Sequence, residues 1–125
     1  MKLVNFDHIV LTTGNLDACI HFYRDILGMQ VVEKAGRYAF HFGCCKINVH
    51  QRPGEFLPAA AYPRPGTIDL CIITEDSIEN VYEELVKTGA PLETEIVDRN
   101  GARGPMRSVY LRDPDGNLIE IAEYE

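Results

Sequence analysis

His8-Ile9-Val10-Leu11, close to the start of the chain, falls on Thr67-Ile68-Asp69-Leu70 when the sequence is slid against itself by 59 places (67 − 8). The same slide sets Tyr23, Ile26 and Leu27 on Tyr82, Leu85 and Val86, and a slide of 72 (119 − 47) sets Ile47-Asn48-Val49 on Ile119-Glu120-Ile121. Two different offsets mean an insertion in the second copy. Matched strand faces in both copies make this a duplicated supersecondary module, each copy reading strand-helix-strand-strand-strand.

In the first copy, residues 6–13 read as a strand that carries His8 and ends at Thr13-Gly14. Asn15 is placed to cap a helix whose apolar stripe is Leu16, Cys19, Ile20, Tyr23, Ile26 and Leu27, stopped by Gly28. Short β segments over 29–34, 38–42 and 45–50 follow, with Gly36 and Gly43 marking the turns. Residues 51–66 hold Pro53, Pro58, Pro63 and Pro65, too much punctuation for a helix or an inner strand, so they form the linker. The second copy opens with a strand from Thr67 to Ile73. Its helix is expected to start at an Asp76–Glu79 capping box, to face Ile78, Val81, Tyr82, Leu85 and Val86 inward, and to stop at Gly89. Strands near 92–97 and 106–112 lead to the turn Asp113-Pro114-Asp115-Gly116 and a last strand, Leu118–Ala122. The expected organisation is one domain over 1–125, with module one at 4–50, the linker at 51–66 and module two at 67–125.

At 125 residues, 46% hydrophobic and 25% charged, the chain suits one compact domain with one core. A net charge of −7 and scattered lysines and arginines argue against nucleic acid and anionic lipid as partners. No apolar run reaches the length of a membrane span, and Met1–His8 breaks polarity too early for a signal peptide, so a cytoplasmic location is expected. Cys19, Cys44, Cys45 and Cys71 fall at no CxxC spacing, and neighbours such as Cys44 and Cys45 point to opposite faces of any strand. A zinc knuckle is therefore not expected, and the cysteines read as reduced and mostly buried.

Period two along each strand assigns faces. Ile9 and Leu11, Ile47 and Val49, Leu70 and Ile72, Val109 and Leu111, and Ile119 and Ile121 form the greasy sides that the helices cover. The opposite faces hold His8, Val10 and Thr12; Lys46, Asn48 and His50; Thr67, Asp69 and Cys71; Ser108, Tyr110 and Arg112; and Glu120. Imidazole, carboxylate, amide and phenol on one face suit a small-molecule site better than a purely solvated surface. The structural alternative for His8 and Glu120 is a buried ion pair.

Phe6-Asp7-His8-Ile9-Val10-Leu11, Phe22-Tyr23-Arg24-Asp25-Ile26-Leu27-Gly28-Met29 and Asp113-Pro114-Asp115-Gly116-Asn117-Leu118-Ile119-Glu120 strongly resemble the vicinal oxygen chelate superfamily, the group of glyoxalase I, fosfomycin-resistance thiol transferases, bleomycin-binding proteins and extradiol dioxygenases. Lys46–His50 and Gly66–Cys71 look like a small glyoxalase-like subgroup sometimes labelled virulence-associated. The resemblance implies an α+β fold in which two tandem βαβββ modules form a cupped mixed sheet with the helices outside. It also implies a divalent metal (zinc, nickel, manganese or iron) and a homodimer acting on a small oxygenated substrate. His8 and Glu120 match the family's metal-ligand positions. Asn48 stands where glyoxalases carry a glutamate and Thr67 where most members carry a histidine, leaving His50 and Asp69 as further candidate ligands. Glu120 is also the expected proton-moving carboxylate, and Thr67, Cys71, Tyr110 and Arg107 are the expected substrate-binding residues. The implied function is a metal-dependent glyoxalase-like lyase or isomerase. The alternatives are a thiol transferase or dioxygenase of the same fold, or a metal-free binding protein that sequesters a small molecule.

Overall fold

A computed structural model describes residues 1–125, which divide into two compact units, Met1–Thr67 and Ile68–Glu125. Each unit is a βαβββ module with one four-stranded mixed sheet, so the chain has the α+β fold expected from the repeat.

The first unit runs β1 (His8–Thr12), α1 (Leu16–Ile20) with a π-helical continuation (His21–Ile26), β2 (Gln30–Lys34), β3 (Arg37–Phe42) and β4 (Cys45–His50). Its strand order is β1-β4-β3-β2, with β1 parallel to β4 and the other neighbours antiparallel. The Asn15 side chain accepts the Ala18 N–H at 3.1 Å and starts the helix as its sequence position requires. The helix does not stay α-helical to its end. Its second half widens to the π form, in which the Leu27 N–H reaches the Phe22 carbonyl at 3.0 Å. Cys19, Phe22 and Tyr23 from this run are buried, as are Leu11, Phe40, Ile47 and Val49 from the sheet, and Tyr23 stacks on Phe40 with ring centroids 4.9 Å apart. Residues 51–66 contain no helix or strand. Phe56 fastens this linker down: its ring meets His50 edge-on at 5.2 Å and carries the Arg37 guanidinium 3.9 Å from its centre.

The second unit runs β5 (Asp69–Ile73), α2 (Ile78–Thr88), β6 (Val97–Gly101), β7 (Gly104–Arg112) and β8 (Leu118–Tyr124), in the order β5-β8-β7-β6 with β5 parallel to β8. Three expectations are corrected. The cap of α2 is Ser77, whose hydroxyl accepts the Asn80 N–H at 3.3 Å; Asp76 donates its backbone N–H to the Thr74 hydroxyl, and the Glu79 carboxylate is drawn to Arg107. Val86 faces out at 54% exposure, while Ile78 and Leu85 are buried. The strand anticipated over 92–97 instead occupies Val97–Gly101, and Leu92 keeps only an isolated bridge to Leu111.

The turn before β8 is built from its own side chains. Asp113 Oδ1 accepts the N–H groups of Asp115 and Asn117, both at 2.9 Å, and Asp113 Oδ2 accepts the Asn117 side-chain amide at 2.7 Å. Asn117, fully buried, turns its own oxygen to the Ile68 N–H at 2.8 Å, and the Leu118 N–H donates to the Ile68 carbonyl at 3.0 Å. The Asp-Pro-Asp-Gly-Asn sequence therefore does more than reverse the chain. It fixes where β5 starts against β8. No helix is long and apolar enough to cross a membrane.

Candidate functional site

Strand register decides which polar residues share a neighbourhood within each unit. In the first sheet His8 pairs with Lys46 and Val10 with Asn48, so His8 and Asn48 are diagonal neighbours on one face of β1 and β4. In the second, Asp69 pairs with Leu118 and Cys71 with Glu120, which makes Asp69 and Glu120 the same diagonal on β5 and β8. Lys46 and Leu118 correspond by the shift of 72 that matches Asn48 to Glu120. The residue that corresponds to His8 is therefore Asp69, a shift of 61 (69 − 8), and not Thr67.

This corrects the position assigned to Thr67. It lies outside β5, is exposed, and donates its hydroxyl to the Arg64 carbonyl at 2.9 Å, so it is the last residue of the linker. Asp69, not Thr67, is the β5 residue at the register position of His8. His50 is different. It pairs with Thr12, four residues beyond the His8–Lys46 rung and so about 13 Å along the strand. It is buried against Phe56 with an unpartnered Nδ1, and it does not join His8.

Around His8 the arrangement is that of an oriented imidazole. Nδ1 lies 2.7 Å from Asp7 Oδ1, a contact that holds the Asp7 carboxyl below its ordinary range. With Nδ1 occupied, Nε2 is the nitrogen left to meet a ligand or a metal.

The second unit carries a continuous polar row. Cys71 on β5, Glu120 on β8 and Tyr110 on β7 are direct cross-strand partners, and Arg99 on β6 donates from Nε to the Tyr110 hydroxyl at 3.0 Å. Glu120 Oε1 is buried and has no hydrogen-bond partner. Ser108, fully buried on the same face and diagonal to Glu120, has an unpartnered hydroxyl as well. Unsatisfied buried oxygens are rare and costly in folded proteins, and two of them side by side mark a surface shaped to receive a polar group. Burial, and then the Glu120 carboxylate beside it, push the Cys71 thiol up to about 12, so at neutral pH it is a neutral thiol and a poor nucleophile. Burial also raises the Tyr110 hydroxyl, against the opposing pull of Arg99.

Arg107 does not belong to this row. It shares the face of Val109 and Leu111, where its guanidinium is gripped by both Glu79 oxygens of α2 and, at 3.2 Å, by Glu123. Arg112 is likewise engaged, with Glu93 and the Gly116 carbonyl, and neither arginine is bonded to Asp69. No group of three or more His, Cys, Asp or Glu side chains is gathered in a form that could hold a metal ion. Sequence reasoning missed Ser108 and Arg99 as members of the site. Ser108 was legible as a same-face position, but its burial was not, and Arg99 belongs to a strand that the sequence placed elsewhere.

Among known proteins, the chain is similar to virulence protein STM3117 of Salmonella typhimurium, with 45% identity over 99% of this chain and 87% of that one. The crystal structure of that protein superposes with a TM-score of 0.96 over the full length of both chains, at 44% identity. A glyoxalase domain-containing protein, RDO1, of Mycosarcoma maydis is 45% identical over 100% of this chain and 71% of its own length. A lactoylglutathione lyase structure from Agrobacterium tumefaciens is 26% identical, with a TM-score of 0.75 over 98% of this chain and 95% of that one. The family profile described as the glyoxalase/bleomycin resistance protein/dioxygenase superfamily matches residues 5–121. Profile, relatives and duplicated βαβββ sheets agree: the chain belongs to the glyoxalase/bleomycin resistance protein/dioxygenase superfamily.

Proposed function

We propose that the protein is a metal-dependent, glyoxalase-like lyase or isomerase of a small oxygenated substrate, with Glu120 as both a metal ligand and the proton-moving carboxylate. The observation that carries this reading is Glu120 Oε1, a buried oxygen with no partner, one diagonal step from the carboxylate of Asp69. By donor type, though not as a gathered group of three, the candidate residues suit a hard or borderline divalent ion. His8 offers Nε2 behind an Asp7-bound Nδ1, the carboxylate–histidine arrangement that typically backs a metal ligand. In the first unit Asn48 offers an amide oxygen on the face of His8, and in the second Asp69 and Glu120 offer carboxylates.

When bound, such an ion supplies Lewis-acid polarisation of adjacent substrate oxygens. Glu120 takes a proton from one substrate carbon and returns it to the next, since its Oε1 is buried and engaged by no hydrogen-bond partner. Tyr110, anchored by Arg99, and the buried Ser108 hydroxyl donate to oxygens of the substrate and fix its orientation. Cys71 serves as a neutral wall beside Glu120 and not as a nucleophile. The 26% identical lactoylglutathione lyase lends support to the reaction class.

The test is elemental analysis of protein purified without chelator, beside the His8→Ala and Glu120→Gln variants. Wild-type protein is expected to hold a divalent ion and both variants to lose it while keeping their circular dichroism. Wild-type protein that takes up no zinc, nickel, manganese or iron at saturation would replace this reading with that of a metal-free binding protein.

A further inference from the structure

The β3–β4 hairpin presents a feature that the polar faces do not use. Phe42 pairs with Cys45, so Gly43 and Cys44 are its two loop residues, and Gly43 adopts φ 51°, the left-handed conformation that such tight hairpins demand. Cys44 is therefore not a strand residue, and the alternation that would send adjacent side chains to opposite faces does not apply to it. The two sulfurs converge to 4.0 Å. Cys44 is exposed and Cys45 half-buried, contrary to the expectation of mostly buried thiols.

That separation suits one kind of chemistry and not another. A disulfide needs its sulfurs about 2.05 Å apart. Two sulfurs on one pyramidal trivalent centre, with bonds of about 2.3 Å at angles near a right angle, sit roughly 3.4 Å apart. The pair, at 4.0 Å, reaches that bite by side-chain rotation with no backbone change. Zinc would still be two ligands short here, because no third His, Cys, Asp or Glu joins the two sulfurs in a metal-holding group. A centre that needs only two sulfurs, its remaining bond already carried by carbon, is satisfied by this hairpin alone.

We infer that Cys44 and Cys45 form a chelating site for mono-organic trivalent arsenicals, independent of the face that carries Glu120. In the binding step the two thiols condense with the two hydroxyls of an arylarsonous acid. Two As–O bonds break, two As–S bonds form, and the thiol protons leave in two waters. Arsenic stays trivalent and no oxidant or reductant is needed. Burial, and then the neighbouring Cys44, raise the Cys45 thiol.

Phenylarsine oxide is the probe, applied to phosphine-reduced protein and followed by intact mass and thiol counting. Wild-type protein is expected to take up a single phenylarsenic group with loss of two free thiols, to keep it against excess glutathione, and to release it to 2,3-dimercaptopropanol. Closing the second As–S bond within one hairpin is worth about 100-fold or more in retention. Cys44→Ser and Cys45→Ser should each lose that factor while remaining folded, since both positions lie at a hairpin tip, and Cys71→Ser should retain it. Stripping of the wild-type adduct by glutathione, or equal retention by Cys44→Ser, overturns the assignment.

Discussion

Asn117 accepts the backbone N–H of Ile68 at 2.8 Å from a fully buried position, and through that bond the turn before β8 sets the register of β5. The consequence reaches the candidate site directly. With Leu118 bonded to Ile68, Asp69 lies opposite Leu118 and Cys71 opposite Glu120. A slip of one residue would send Glu120's neighbours to the helix-covered face.

Asn117→Ala should therefore cost more than one hydrogen bond. It leaves the Ile68 N–H unpaired and strips Asp113 of a buried donor, each loss worth about 1–3 kcal/mol. The measurement is the urea midpoint. A fall of several tenths molar or more at unchanged slope is expected, and a variant as stable as wild type would show that the clamp is dispensable.

The register also yields a paired test of the metal reading. Asp69 is the counterpart of His8, whereas Thr67 lies outside the strand. Asp69→His should keep or strengthen binding of zinc or nickel, for which imidazole is a good ligand, and Asp69→Ala should weaken it. Thr67→His should leave affinity where it was. Calorimetric titration of the three variants reads this out, and a gain in Thr67→His without one in Asp69→His would return the ligand position to Thr67.

How far the sequence reached follows from what each residue depends on. The faces of His8 and Glu120 were legible because period two is local to a strand, and the helix signals at Asn15 and Gly89 were legible because caps are local to a turn. The position of Asp69 was not. Sliding by 59 aligned apolar residues of the helices, but the opening strands match at 61 and the two caps, Asn15 and Ser77, at 62 (77 − 15). Register depends on a side chain 49 residues away, Asn117. Arg107 was misread for a similar reason: its partners Glu79 and Glu123 lie on another helix and another strand. Ser108 needed burial, which no pattern of neighbours in sequence supplies.

The Arg107 cluster makes an acid-stability prediction. Arg107 holds the Glu79 carboxyl below its ordinary value, so the unfolded chain binds the proton more readily than the folded one. The contribution is full above the unfolded glutamate value of about 4.3 and is lost as pH falls through the lower folded value. Glu79→Gln should narrow the stability gap between wild type and variant as pH drops from 6 toward 3. Thermal melts across that range would show it, and a gap that widens toward acid would contradict the assigned role.

Cys71 offers a direct probe of the charge on Glu120. Its thiol, pushed up to about 12 first by burial and then by the Glu120 carboxylate, should alkylate far more slowly at pH 8 than Cys44, although both residues are exposed. Glu120→Gln removes the charge but not the burial, so Cys71 should react faster in that variant and still lag behind Cys44. Site-resolved iodoacetamide labelling by peptide mass spectrometry measures both rates in one sample. An unchanged Cys71 rate in Glu120→Gln would mean that the carboxylate does not face the thiol as a charge, and the polar row across β5, β8 and β7 would lose its central member.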